Sequence, residues 1–304
     1  MNDRQLKQAL WSNTRLWLSL VALFVLLELW ITYAVNNRSW LLIVPAWLAL
    51  AYVMHAHLLA FHECSHAGLL PFRTLNYLAG VLVGWGSLMS FKLYRTTHHT
   101  HHGYLGQERD EELWPFVIRD MPRWKRRVAA IGELTVGLLY TPALFLRCYF
   151  RRGSPIRNRR TRIHIAFELT GMILFWTAIL WATANFDLWI YLLSCYVVPA
   201  WLAGNIQSAR KYVEHMGLFG TTVETLTRSI VSGTWFGRLV SFTLFYEQYH
   251  AAHHLHGEIP QREVAGTAGV LEDRCVYRTY AAALADVARQ LADPKIGPQW
   301  LRSP

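Results

Sequence analysis

Four stretches of the chain, residues 16–35, 40–61, 163–184 and 188–206, are almost unbroken apolar sequence, and each is about the 20-residue length at which a helix crosses a bilayer core. The interruptions are few. Glu28 falls in the first stretch, His55 and His57 in the second, His164 and Glu168 in the third, and no charged residue in the fourth. Segments of this kind must satisfy their backbone hydrogen bonds internally, which selects helices. Composition agrees: 53% of the 304 residues are apolar and 16% are charged, against roughly 25% charged in soluble proteins. The first stretch is too long for a signal-peptide core and no small-x-small cleavage site follows it, so it reads as a retained anchor.

Lys and Arg set the expected sidedness. Arg4, Lys7 and Arg15 precede the first span, Arg38 alone lies between spans one and two, none lies between spans three and four, and residues 62–162 carry 16 of them. Both termini and the central segment are therefore expected in the cytoplasm. The run Arg151, Arg152, Arg157, Arg159, Arg160 and Arg162 abuts a span and reads as attraction to anionic membrane lipid, with no nucleic acid expected as a partner. Two weaker apolar stretches, 75–91 and 128–150, lie inside the central segment. The first is too short to cross and return, and Gly80, Gly84 and Gly86 permit close packing and bends, so it is expected to lie in the interface or to re-enter. With no repeat and no linker, the chain reads as one all-α integral membrane domain, 1–304. It has four transmembrane helices and a cytoplasmic helical cap made of 62–162 and 207–304, the latter a tail with a helical pattern at 280–291. Cys64, Cys148, Cys195 and Cys275 show no CxxC spacing and are expected to be reduced and structural.

The histidines are clustered. HECSH places His62 and His66 at i, i+4; HHTHH places His98, His101 and His102 at i, i+3, i+4; HAAHHLH repeats that spacing with His250, His253 and His254. On a helix such spacing aims imidazoles from one face at a common point, and imidazole binds Zn, Cu, Fe and Ni. All three clusters fall on one expected side of the membrane. Eight imidazoles exceed the needs of one ion, so two metals are the economical reading, with His215 of YVEH as a ninth ligand. His99 lies about 100° around the helix from His98 and is left out, as is His256. His55 shares the face of His62 two turns deeper, as a buried hydrogen-bonding residue or a neighbour of the substrate.

These motifs resemble the three histidine boxes of the membrane fatty acid desaturase superfamily, whose relatives include alkane hydroxylases, carotenoid ketolases and sphingolipid hydroxylases. HAAHHLHGEIP is similar to the third box of acyl-lipid desaturases, with Pro260 in place, and TTHHTHHGYLGQERDEE to the second box followed by an acidic pair. The resemblance covers about residues 40–262. It implies four transmembrane helices, a cytoplasmic cap and a di-iron centre using O2 as co-substrate, with iron ligation carried to His62, His66, His98, His101, His102, His215, His250, His253 and His254. One position departs from the pattern. Where some animal acyl-CoA desaturases carry an Asn that binds metal through water, four residues before the His215 equivalent, this chain has Lys211. That coordination position is then open, filled by water, or served by Glu214.

Metal-bound His usually passes its second N–H to a carboxylate or carbonyl. Glu63, Asp110, Glu111, Glu112, Glu214 and Glu247 are the candidate acceptors, the acidic run 110–112 reading equally as a solvated face. Glu247 also begins EQYH, a single Glu-x-x-His. Glu28, in mid-span, is expected to pair within the bundle. The leading expectation is an acyl-chain desaturase acting on a lipid. The alternatives are a hydroxylase or ketolase of the same superfamily acting on an alkane, acyl chain or carotenoid, and, in a different class, a His-rich metal transporter or binding protein. The sequence has no cytochrome b5 motif, no four-cysteine iron–sulfur spacing and no GxGxxG after a strand. A separate ferredoxin, rubredoxin or cytochrome b5 with its reductase is therefore expected to dock. The membrane is the inner or plasma membrane in a bacterium and the endoplasmic reticulum in a eukaryote.

Overall fold

A computed structural model of the chain describes residues 3–264 and 276–298; Cys275 and the end of the tail lie outside them. Among the described residues, four segments are long and apolar enough to cross a membrane: Asp3–Asn36, Trp40–Ser65, Arg159–Asn185 and Trp189–His215. They take in the four expected spans, except that the fourth begins one residue after the expected Leu188. Helix α1 (Asp3–Asn36) has 34 residues and so extends about 50 Å at 1.5 Å per residue, longer than a bilayer core is thick. Asn37, Arg38 and Ser39 turn it into α2 (Trp40–Ser65), and Arg38 takes the left-handed φ of 53° that the tight reversal requires. Leu27, Ile31 and Ala34 of α1 pack on Ile43, Ala46 and Leu50 of α2. The opposite face of α1 leaves Leu18, Leu26, Leu29 and Trp30 exposed, as a lipid-facing surface requires. Of the four apolar windows that of α2 is the most enclosed, at 39% buried against 17% for Arg159–Asn185, so α2 is the central helix.

After α2 the chain turns into α3 (Arg73–Gly86) and then α4 (Phe91–Tyr104). Asn76 closes the first turn: its Oδ1 accepts from the amides of Leu69 and Leu70, and its Nδ2 donates to Cys64 O at 2.8 Å. The α3–α4 hairpin is tight because a Cβ on Gly84 would sit 2.6 Å from Met89 O, and one on Gly80 would sit 2.6 Å from the Phe91 ring. Gly86, expected to serve likewise, faces open space. Glu168 of α7 (Arg159–Asn185) holds this hairpin. Its carboxylate accepts from Tyr77 Oη, from Ser90 Oγ at 2.6 Å and from the Lys92 amide at 2.8 Å.

The apolar stretch 128–150 is two helices, α5 (Arg123–Thr135) and α6 (Gly137–Phe150), broken at Val136. The partner that breaks it is the fourth span. That span runs through α8 (Trp189–Tyr191), a π-helical turn at Leu192–Val197 and α9 (Val198–His215). Pro199 lacks the N–H that would bond the carbonyl four residues back, and the wider turn precedes it. On α9, Trp201 Nε1 and Asn205 Nδ2 both donate to Thr135 O, while Asn205 Oδ1 accepts from the Gly137 amide at 2.9 Å. The helices touch there through glycine, since a Cβ on Gly204 would lie 2.5 Å from Leu138 N.

The chain from residue 207 is not a loose tail. α9 continues about two and a half turns past the apolar stretch to His215, and its end is closed by Arg228, which is 1% exposed and donates to Val213 O and Met216 O. Arg228 also pairs with Asp286 of α14 (Tyr280–Ala288). Between them come α10 (Val223–Leu226), α11 (Trp235–Thr243), α12 (His250–Leu255), α13 (Gln261–Val264) and one parallel bridge of Ser229–Ile230 with Val276–Tyr277, the only strands among the described residues. Phe245 and Tyr246 are both left-handed, at φ 54° and 62°, a costly conformation for bulky residues. They set the direction in which α12 leaves α11.

Replacing Gly204 by Val should separate α6 from α9. The expected outcome is a loss of about 1–3 kcal/mol, read as a lower thermal midpoint of the detergent-solubilised protein; an unchanged midpoint would show that the contact is slack.

Candidate metal centre

Four segments end at one place. The last turn and C-cap of α2 bring His62 and His66, α4 brings His98, His101 and His102, the end of α9 brings His215, and α12 brings His250, His253 and His254. These nine histidines form two groups, His62, His66, His98, His102 and His253 in one and His101, His215, His250 and His254 in the other. Within each group, one ring nitrogen per residue lies within 4.8 Å of all the others. The spacing of the HxxHH motifs is therefore used differently from a single common point. The i, i+4 pair His98/His102 joins one group and His101 joins the other; the i, i+4 pair His250/His254 joins the second and His253 the first. A full turn plus 40° returns a side chain to the same side, whereas the residue between points about 100° away, across the gap. The groups adjoin where His102 stacks on His254 at 4.3 Å between ring centres.

The Nε2 atoms face one another. His66 and His98 are 3.1 Å apart, His98 and His102 3.1 Å, His102 and His253 3.1 Å, His215 and His250 2.8 Å, and His250 and His254 3.2 Å. A neutral imidazole has one N–H and one lone pair. His98 meets Glu112 through Nδ1 at 2.9 Å and His101 meets Asp110 through Nδ1 at 2.9 Å, which assigns the proton to Nδ1 and leaves Nε2 as an acceptor. The Nε2 atom of His98 then faces the Nε2 atoms of both His66 and His102, and its one lone pair can accept a proton from only one of them, whereas a cation between the rings would meet the lone pairs of all three. The donor set, all imidazole nitrogen with carboxylates behind it, fits iron among the transition metals.

Burial pushes His66, His98, His102, His250, His253 and His254 below the usual histidine range, and the neighbouring imidazoles add to the effect. His101 moves the other way: burial opposes its protonation, but the carboxylates of Asp110 and Glu112 outweigh that and raise it. The six lowered imidazoles are thus neutral at neutral pH, so a metal would not have to displace a proton from them.

The carboxylates divide the work unevenly. Asp110 and Glu112 take His101 and His98, while Glu111, between them in sequence, turns away to pair with Arg147 at 2.7 Å and with Arg151. Consecutive residues of a turn cannot all face one site. Glu63 accepts from Asn13 Nδ2 of α1 at 3.2 Å. Glu247 sits behind both groups, with Oε2 at 3.1 Å from His62 Nδ1 and Oε1 at 3.7 Å from His250 Nδ1. It meets both on the Nδ1 side, behind the rings. Arg210 bridges Glu247, at 3.2 Å, and Glu214, and Glu214 Oε2 lies 3.7 Å from His250 Nε2. His215 Nδ1 faces Leu226 O at 3.3 Å.

The remaining histidines lie elsewhere. His99 Nε2 faces Ser65 O at 3.1 Å, His57 Nδ1 faces Val53 O, and His164 and His256 are exposed. His55 is buried within α2, its Nδ1 without a hydrogen bond among the described residues. Glu28 is half-buried and hydrogen-bonded to Cys195, inside the bundle as expected. Lys211 pairs with Glu133 of α5 and reaches Glu112 O at 3.4 Å, so its ammonium is engaged away from the histidines. Sequence reasoning passed over Arg210, Glu133 and Tyr94, whose ring stacks on His98 at 5.2 Å and 7°. Tyr94 and Arg210 were within reach of it, standing four residues before His98 and Glu214 on the same helices.

Similar proteins place this geometry. The chain is 25% identical over 187 residues to an acyl-lipid (9+3)-(E)-desaturase of Dimorphotheca sinuata, a match covering 56% of this chain and 49% of the relative. It is 32% identical over 129 residues to an sn-1 acyl-lipid omega-3 desaturase (ferredoxin) of Nostoc sp. (strain 36), covering 40% and 35%. A protein of the same description from Synechocystis sp. is 23% identical over 171 residues, covering 53% and 46%. The matches span about half the length of these relatives or less. Residues 38–281 match the fatty acid desaturase family, which takes in every histidine of both groups, and the chain belongs to that family.

Proposed function

We propose that the protein is an O2-dependent acyl-chain desaturase of a membrane, with two irons held by nine histidines. His62, His66, His98, His102 and His253 hold one ion, and His101, His215, His250 and His254 hold the other, where Glu214 or water completes the set. The observation that carries this reading is the set of opposed Nε2 atoms described above. When bound, an iron pair would supply the O2 chemistry: O2 accepts four electrons in all, two from a carrier and two from the substrate C–H bonds, so that one O2, two protons and two substrate hydrogens leave as two waters and the chain gains one C=C.

The residues of this chain hold and orient. Asp110, Glu112 and Glu247 fix the imidazoles from behind, so that each lone pair is set before any metal arrives. An apolar cavity begins beside this site: Glu112 and Tyr94 line it, and Leu58, Phe61, Pro142 and Phe145 continue its wall. These side chains exclude water and suit methylene groups. Met54, Gly86 and Ser87 also line a second apolar cavity between α1, α3 and α7, so the two adjoin. The basic residues of 62–162 support a cytoplasmic site and termini, and they suit an acidic electron carrier; ferredoxin, named for two of the relatives, is the proposed donor.

The direct test is expression in a host of defined lipid composition, with mass spectrometry of the lipids. Loss of two hydrogens from an acyl chain, dependent on O2, is expected. Gain of one oxygen assigns a hydroxylase instead, and metal flux without lipid oxidation would remove the reading altogether.

His101→Ala and His253→Ala should each abolish product while the chain still inserts in the membrane, with iron lost from the group concerned; full iron with retained activity would show the site misassigned. Asp110→Asn should leave all nine imidazoles in place but weaken metal binding by about 10–100-fold, measured by competition with a chelator.

A further inference from the structure

Lys211 and Glu133 are a charged pair set in an apolar wall. Glu133 has no exposure and Lys211 has 9%, they are in direct contact, and both line the cavity assigned above to the acyl chain. Removing two such charges from water costs several kcal/mol per ion, and apolar residues of similar size usually serve stability as well or better. A cavity meant for methylenes alone has no use for the pair.

The pair also has bonds to spare. An ammonium has three N–H donors; that of Lys211 meets Glu133 and, at 3.4 Å, Glu112 O. Glu133 Oε2 has no hydrogen bond among the described residues, and neither has Ser208 Oγ, although Ser208 is 1% exposed and lines the same cavity one helical turn before Lys211. The pair is neutral in sum, which disfavours a carboxylate or phosphate beside Glu133. A free donor next to a free acceptor matches a group that is itself both, and the smallest such group on a lipid chain is a hydroxyl.

We infer that Lys211, Glu133 and Ser208 form a subsite for a hydroxyl carried on the substrate, so that the preferred substrate is a hydroxylated acyl chain. The hydroxyl accepts from Lys211 Nζ and donates to Glu133 Oε2. Glu112 lines the same cavity and contacts His98, so the hydroxyl is held on the part of the chain that passes the metal groups. This rests on the cavity being the acyl site, as proposed above.

The test uses the full-length, iron-loaded protein in lipid nanodiscs. Its probes are stearoyl lysophosphatidylcholine and a set of isomers carrying one hydroxyl at successive mid-chain carbons. At least one isomer should bind about 10–100-fold more tightly than the plain chain, the range for hydrogen bonds to charged groups. Lys211→Met/Glu133→Leu should bind the plain chain at least as well and lose the preference, with iron content and thermal midpoint reporting its fold. Glu133→Gln and Ser208→Ala, which keep shape, should each reduce the preference and serve if the double variant does not fold. Equal affinity for plain and hydroxylated chains in the unmodified protein overturns the inference and assigns the free bonds to water, as does a preference that survives these changes. O2-dependent oxidation of the plain chain with no preference defeats the subsite and spares the desaturase reading; a preference with no lipid oxidised does the reverse.

Discussion

Nine imidazoles turned toward two neighbouring points form the arrangement on which the rest of the protein depends. Rings from four separate segments stay this close only if the scaffold holds each of them from outside. It does so at the Nδ1 side with Asp110, Glu112 and Glu247, and at the backbone with closures at each helix end. Asn76 shuts the end of α2, Arg228 the end of α9, and the left-handed Phe245 and Tyr246 aim α12. The apolar spans set helix ends side by side, and these polar fastenings convert that proximity into fixed directions.

The sequence disclosed the helices and the histidines more fully than it disclosed their grouping. Apolar runs of bilayer length are read directly because lipid imposes them residue by residue, and all four match helical segments of the structure to within a residue at their starts or inside them. The end of the fourth was hidden for the same reason: hydropathy stops near residue 206, but α9 keeps its hydrogen bonds through Gln207 and Arg210 to His215. The break at Val136 was hidden because its cause is Asn205 and Gly204 on a distant helix. At the site, i, i+4 spacing identified the histidines that share a helix side but not which of two neighbouring points each serves. That depends on how α4 and α12 face each other. Nor did adjacency reveal that Glu111 would leave the acidic run for Arg147 and Arg151.

Polar residues inside the apolar regions have partners that explain their tolerance. Glu168 would be costly in lipid, yet it gathers three donors and ties α7 to the start of α4. It thereby holds the helix that carries His98, His101 and His102. Lys211 and Glu133 differ from it in offering bonds that the protein itself leaves open.

Both histidine groups draw on α12, at residues 250–255, while the first of their histidines lies at residue 62. Neither group is complete until the chain has been made through α12. A nascent chain holding α2 and α4 has only a partial set of imidazoles for each position, with no α12 to close either one. Completing either group is thus tied to the folding of α12 rather than to the formation of the apolar helices, and a chain truncated before α12 would keep the four apolar helices with both groups incomplete.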